Sequence, residues 1–357
     1  MKRLTYTLLL LAFLPACRQA PDELPVTPAD PKTPLEITVS GIFMQQPRSV
    51  ISSESDLDGK KIGIYAINAQ SGESSYGTAP AGTAATYAVA TDDNGGYKAT
   101  AVTGKELWLN NQSATIYATY PIADPNDITP GNNSGDAPAL PIKKATFAEE
   151  QTLTMTPVAG TPDYYDLTDP QYDYMYGVAY MTDSYQTTQP EADNGSPAVS
   201  IGFRHALAQV RFKLKKGTDY PGPAQLTYVK FTFSNLPALK NNNTSLMSLK
   251  DGSMQNLEAA QSRHYAYTLS AVVTLDADGL EFRTYALPVS TTGLTEVQMT
   301  LDGKTMTLSP SSPSDKEWAA GNIYRYSFTT RGTGLTLSGF QVVDWTTGET
   351  TDDVPIN

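Results

Sequence analysis

Cysteine is nearly absent from this chain: 357 residues carry one, Cys17. A disulfide framework is therefore excluded, and stability has to come from packing and strand ladders. Histidine is almost as scarce, with only His205 and His264. Metal sites built on nitrogen and sulfur donors have little to draw on. Positive charge is also short, since 25 Lys and Arg meet 37 Asp and Glu for a net charge of -12. That balance does not suit nucleic acid, whose affinity rests on cations meeting phosphate, nor a polybasic membrane patch. Helical periodicity is thin, with Ala145 to Glu150 and Asn256 to Gln261 each supplying a turn or two.

Catalytic patterns are missing too. No HExxH, GxSxG, phosphate loop or dinucleotide fingerprint occurs. Carboxylates are plentiful, but no two are marked out as a glycosidase pair. Asp276-Ala277-Asp278-Gly279 begins like a calcium loop yet lacks the later ligands and the closing Glu. His205 sits within the apolar run Phe203 to Val210, where a hydrogen-bonded structural histidine is expected. The expectation is a protein that is not an enzyme, with no catalytic residues, no cofactor and no metal.

What is present begins at the N-terminus. Lys2 and Arg3 precede a short apolar core, Leu8 to Leu14, and Leu14-Pro15-Ala16-Cys17 closes it. The core is too short for a membrane helix, which needs about 20 residues, and reads as a secretory signal. It resembles a bacterial lipoprotein signal, with Pro15 as its departure. Residues 1–16 are then removed and Cys17 is lipidated, tying the chain to the outer membrane. That removal takes away two positive charges and moves the net charge from -12 to -14. Residues 17–34 hold Pro21, Pro25, Pro28, Pro31 and Pro34 with little apolar content, the composition of an extended tether.

Beyond the tether the pattern is β almost throughout. Leu35, Ile37 and Val39 alternate with polar residues, Ile62 to Ile67 follows Asp58-Gly59, and Ala114 to Tyr120 stops at Pro121. Val297 to Leu301 and Lys304 to Leu308 flank Asp302-Gly303, a hairpin with a primed turn. Asp278-Gly279 predicts a second hairpin between Val272–Leu275 and Leu280–Phe282. Such segments, punctuated by Gly, Pro and Asn, indicate an all-β protein of tandem Greek-key β-sandwiches. The expected domains are 35–196 and 197–357, divided at the polar stretch before Pro197. Asp163 to Tyr176, rich in Asp and Tyr, reads as an acidic aromatic loop or as sheet tyrosines.

Several separated stretches together resemble the Bacteroidales fimbrillins, pilin-like lipoproteins of type V pili. They are Asp58 to Ala66, Ile116 to Pro121, Asp173 to Gly177, Phe203 to Phe212, Ala320 to Tyr326 and Asp344-Trp345. The resemblance implies two transthyretin-like β-sandwich domains and surface localisation in a fimbrium. It also implies cleavage after a basic residue beyond the first strand, which here is Arg48, so that 35–48 becomes removable. Losing that strand leaves an unpaired edge, which another pilin subunit fills by β-augmentation; a head-to-tail contact that does not close makes a polymer. Leu335, Leu337, Phe340, Val342 and Trp345 are the donor-strand candidates. A tip or accessory subunit would accept a strand and donate none. The alternative is a permanently anchored surface lipoprotein that binds a glycan or a host or bacterial surface protein through its loops.

Overall fold

The computed structural model describes residues 31–42, 54–68, 85–102, 106–121, 138–142, 150–158, 161–167, 172–181, 184–240, 244–310, 316–332 and 334–344. Cys17, Arg48 and Trp345 lie outside them. Among the described residues, regular structure is β apart from one short 3-10 turn at Glu54–Leu57. The principal strands of the first half are β1 (Glu36–Ile42), β2 (Lys61–Asn68), β3 (Ala85–Thr91), β4 (Tyr97–Ala101) and β5 (Ala114–Tyr120). Next come β6 (Glu150–Val158), β7 (Thr161–Leu167), β8 (Met175–Met181), β9 (Ser184–Tyr185) and β10 (Ala198–His205). The second half holds β11 (Ala208–Lys216), β12 (Gln225–Ala238), β13 (Glu258–Thr274) and β14 (Leu280–Ala286). It ends with β15 (Leu294–Leu301), β16 (Lys304–Leu308), β17 (Asn322–Arg331) and β18 (Gly334–Asp344).

Seven of these close into a barrel-like sheet. The order runs β1-β4-β3-β2-β5-β8-β10, and β10 returns to β1. The β10–β1 pair is parallel, because the chain travels through most of the barrel before coming back beside its first strand. Closure removes the free edges that an open sheet would present. In β2 and β5 both faces are buried. Ile62, Ile64, Ile116 and Ala118 fill the barrel, while Tyr65 and Tyr117 join a second apolar cluster with Leu207, Tyr285 and Ile323. That cluster seats the barrel against the rest of the molecule.

The short β9 adds to β8, and the remaining ten form a second sheet in the order β16-β15-β12-β13-β6-β7-β14-β11-β17-β18. Val210, Phe212 and Leu214 of β11 and Val229, Phe231 and Phe233 of β12 alternate inward to one core. The β15–β16 hairpin has the expected form: Leu301 pairs with Lys304, and Asp302 and Gly303 take φ of 50° and 71°. Two positive φ values make the primed turn whose twist matches the strands. The Asp302 carboxylate also accepts from Gln225 N (2.9 Å), Ala224 N (3.2 Å) and Tyr220 Oη (2.8 Å).

Two expectations meet a different arrangement. β13 and β14 do not pair with each other at Asp278-Gly279; the β6–β7 hairpin stands between them. The turn there serves as a corner, held by Gly279 N donating to Asp276 Oδ1 (2.8 Å) and by Lys216 N donating to Asp276 O (2.7 Å). The pairings also cross residue 196 in both directions: β10 belongs to the barrel and β6–β7 to the ten-stranded sheet. The run from Val199 to Leu214 reads as one long strand, but it breaks at Ala206-Leu207, and its two parts serve different cores.

Candidate functional site

β1 is the first strand of the barrel, and it is held on both sides. Along β10, Glu36 to Val39 lie beside Ala198 to Ile201 in parallel. Along β4, Ile37, Thr38 and Val39 face Ala99, Lys98 and Tyr97 in antiparallel. Leu35 N donates to Leu107 O (2.9 Å), and Leu107 N donates in turn to the Tyr87 hydroxyl (3.2 Å). Burial holds that phenol above its ordinary pKa, partly offset by the Leu107 bond.

The alternation of β1 supplies its anchors. Leu35, Ile37 and Val39 are 5%, 0% and 2% exposed and lie in the barrel core. At about 1.5–3 kcal/mol for each fully buried aliphatic side chain, the three contribute roughly 5–9 kcal/mol. That rivals the about 5–15 kcal/mol total of an ordinary domain. A barrel without β1 has to refill the slot.

The upper end of β1 changes face. Val39 pairs with Ile201 and Gly41 pairs with Gly202, so Ser40 is an extra residue, a β-bulge. Its hydroxyl accepts from Ser200 Oγ (2.6 Å). The bulge sets Gly41 beside Gly202, and the rings of Tyr180 and Tyr185 cover both. A Cβ at Gly41 would come within 2.8 Å of Tyr180 Cε2 and Tyr185 Oη, and one at Gly202 within 2.6 Å of Tyr185 Cε1. The two rings meet edge to face at 5.1 Å, and Arg204 lies 5.4 Å over the Tyr185 ring.

Four of the five donor-strand candidates, Leu335, Leu337, Phe340 and Val342, sit far along the chain in β18, at the end of the ten-stranded order. β18 pairs with β17 from Asn322↔Asp344 to Arg331↔Gly334. Leu335 is buried, Leu337 and Phe340 pack against the same core, and Val342 is 48% exposed. Among the described residues nothing pairs with the other edge of β18.

Polar features elsewhere are structural in form. His205 Nδ1 and Asp173 Oδ1 are 2.8 Å apart and both side chains are buried. Glu281 Oε1 lies 3.4 Å from Arg325 Nη2 and 3.9 Å from Arg211 Nη1, inside the molecule. A buried group of this kind offsets its own desolvation only by pairing. Within Asp163 to Tyr176, Thr161–Leu167 is strand β7, Asp173 and Tyr174 are buried, and Tyr172 is exposed. Of the two readings of this segment, the described residues fit the sheet one. No group of three His, Cys, Asp or Glu among the described residues is placed to hold a metal ion. No helix among them is long and apolar enough to cross a membrane.

Nothing in the sequence pointed to the tyrosine cover; the nearest signal is the coincidence of glycines in two strands whose pairing the fold alone creates. These features define an all-β protein with β1 built into a barrel wall. The chain belongs to the fimbrillin-like family, whose profile it matches over residues 52–345. It is similar to the solved structure of a candidate cell adhesion protein from Bacteroides ovatus, at 15% identity over 89% of this chain and 100% of that one, with a TM-score of 0.53. Another candidate cell adhesion protein, from Bacteroides uniformis, has 18% identity over 88% and 98% and a TM-score of 0.48. A fimbrial protein from Bacteroides vulgatus has 12% identity over 87% and 99% and a TM-score of 0.46. At its low identity, the Bacteroides ovatus likeness bears on fold alone. No curated protein matches the chain significantly.

Proposed function

We propose that this chain is a structural subunit, or a minor tip or accessory component, of a surface pilus, assembled by strand exchange. The observation that carries the reading is the position of β1: the first strand of the barrel among the described residues, filling a two-sided slot in a closed sheet. Family membership supports the pilus or adhesion role, association with other subunits and exposure at the cell surface. The family match starts at residue 52, just past Arg48. In this reading Cys17 is lipidated at the outer membrane, a protease cuts after Arg48, and anchor and β1 leave together. The role is structural, without catalysis. The organisation is two transthyretin-like sandwich domains, the first lending its β6–β7 hairpin to the second.

The pairing of β18 with β17 along its length favours a second version, a permanently anchored subunit that keeps its last strand or binds a surface ligand. The N-terminal sequence and intact mass of the protein from the native cell surface separate the two. A start at Ser49 without acyl chains supports exchange. An acylated Cys17 start with 35–48 still attached supports the anchored version. Arg48→Ala is expected to yield lipid-retained, unpolymerised protein, and normal filaments from that variant would overturn the cleavage site.

A further inference from the structure

The strand that fills the slot and the strand at the other end of the chain share a pattern. β1 reads Ile37-Thr38-Val39-Ser40-Gly41-Ile42, and β18 reads Leu335-Thr336-Leu337-Ser338-Gly339-Phe340. Thr, Ser and Gly are identical and the other three positions are apolar in both. The backbones agree as well. In β1 the pairing passes from Val39↔Ile201 to Gly41↔Gly202 and skips Ser40. In β18 it passes from Leu337↔Phe328 to Gly339↔Ser327 and skips Ser338. Both strands thus turn two aliphatic residues inward, bulge at the serine, and set a buried glycine on the face away from the core. In β18 the next residue, Phe340, then returns to the core, 4.8 Å from the Tyr326 ring.

We infer that β18 of one copy enters the β1 slot of a second copy in a single register: Leu335 at the place of Ile37, Leu337 at that of Val39, and Gly339 at that of Gly41 beneath Tyr180 and Tyr185. The inference rests on the strand-exchange reading above and adds what sets the alignment. A slip of one residue turns every side chain to the wrong face and puts Ser338 or Phe340 under the rings. A slip of two puts Leu337 or Gln341 there, where the rings stand 2.8 Å from even a Cβ. Glycine alone passes without moving them. The exchange also replaces one hydrogen-bonded neighbour, β17, with two, β10 and β4.

The test is a cysteine pair in the full-length chain, secreted and processed by its native route. Thr38 faces Lys98 across the β1–β4 ladder and both are exposed, and directly opposite residues bring their Cβ atoms within about 4.5–5.5 Å. Lys98→Cys with Thr336→Cys is expected to give a ladder of reducible multimers on oxidation. Lys98→Cys with Ser338→Cys, the two-residue slip, should give at least tenfold less. Filaments that crosslink through Ser338→Cys, or through neither position, overturn the register while leaving strand exchange standing. Protein that keeps Cys17 and β1 and forms no filaments removes the exchange reading and the inference together. As a second measure, Gly339→Val should halt assembly, and Tyr180→Ala with Tyr185→Ala in the accepting copy should restore it. Unimpaired assembly of Gly339→Val, or no rescue of a Gly339→Val chain that melts as wild type, would overturn the role of the rings.

Discussion

Around β1 the barrel interior is largely aliphatic, with Ile37, Val39, Ile62, Ile64, Ile116 and Ile201 beside the rings of Tyr87 and Phe203, whereas the core of the ten-stranded sheet is a lattice of rings. Phe212 and Phe231 stack at 3.8 Å with 9° between their planes. Phe233 meets Trp318 edge to face at 4.9 Å, and Tyr267 meets Phe282 in the same way at 4.9 Å. The difference bears on exchange. Aliphatic positions accept a volume-conserving substitute for less than about 1.5 kcal/mol, so one Leu- or Ile-bearing strand can stand in for another. Ring pairs add about 0.5–1.5 kcal/mol each beyond area and depend on orientation. A core of that sort suits the part of the subunit that stays put.

The strongest blow to this contrast is Phe212→Ala. Its ring lies within 6.5 Å of five other rings, and the loss should cost about 3–5 kcal/mol, read as a lowered urea midpoint with collapse of the near-ultraviolet signal. Ile37→Ala comes next, at about 2–5 kcal/mol in the intact chain, because its side chain is fully buried in the barrel. It should loosen the barrel and leave the near-ultraviolet signal of the ring lattice intact. If both variants erase that signal together, the two cores are one cooperative unit.

Alkali should strike the ring core by another route. Burial raises the pKa of Tyr265, Tyr267 and Tyr326 well above the ordinary phenol value. These phenols stay protonated in the fold while an unfolded tyrosine ionises near pH 10. Their contribution is fully present below about pH 10 and is lost as pH rises toward the folded values. Ultraviolet titration should therefore show late phenol ionisation, arriving with unfolding. The smallest effect concerns Asp302, whose pKa is lowered chiefly by the Gln225 backbone hydrogen bond, with Tyr220 and Ala224 adding to it. Its contribution is present above the ordinary carboxylate value and fades as pH falls through its lowered one. Asp302→Ala should slightly reduce the melting temperature at neutral pH and flatten that acid-side dependence.

The legible parts of the fold were those set by neighbours in sequence. Alternation marked β1, β2 and β5, and Asp302-Gly303 marked its hairpin, because face and turn geometry depend on a few adjacent residues. Asp278-Gly279 carries the same signal, yet its strands part, since the β6–β7 hairpin takes the edges between them. A local turn preference cannot register a competitor more than a hundred residues away. The bounds of the slot were hidden for the same reason: β1 lies beside β10, some 160 residues on, through a parallel pairing that no hairpin signals.

By itself, then, the sequence determined an all-β chain with sparse chemistry, an acidic charge and the membership of individual strands, all properties of composition and short-range pattern. It also contained both copies of the Thr-x-Ser-Gly alternation, without any indication that they belonged to one position. Tertiary structure alone decided that the barrel closes, that β1 sits between β10 and β4, and that two glycines meet under two tyrosines. Those outcomes depend on which distant edges and faces pair, a choice made by the whole chain burying its apolar surface at once.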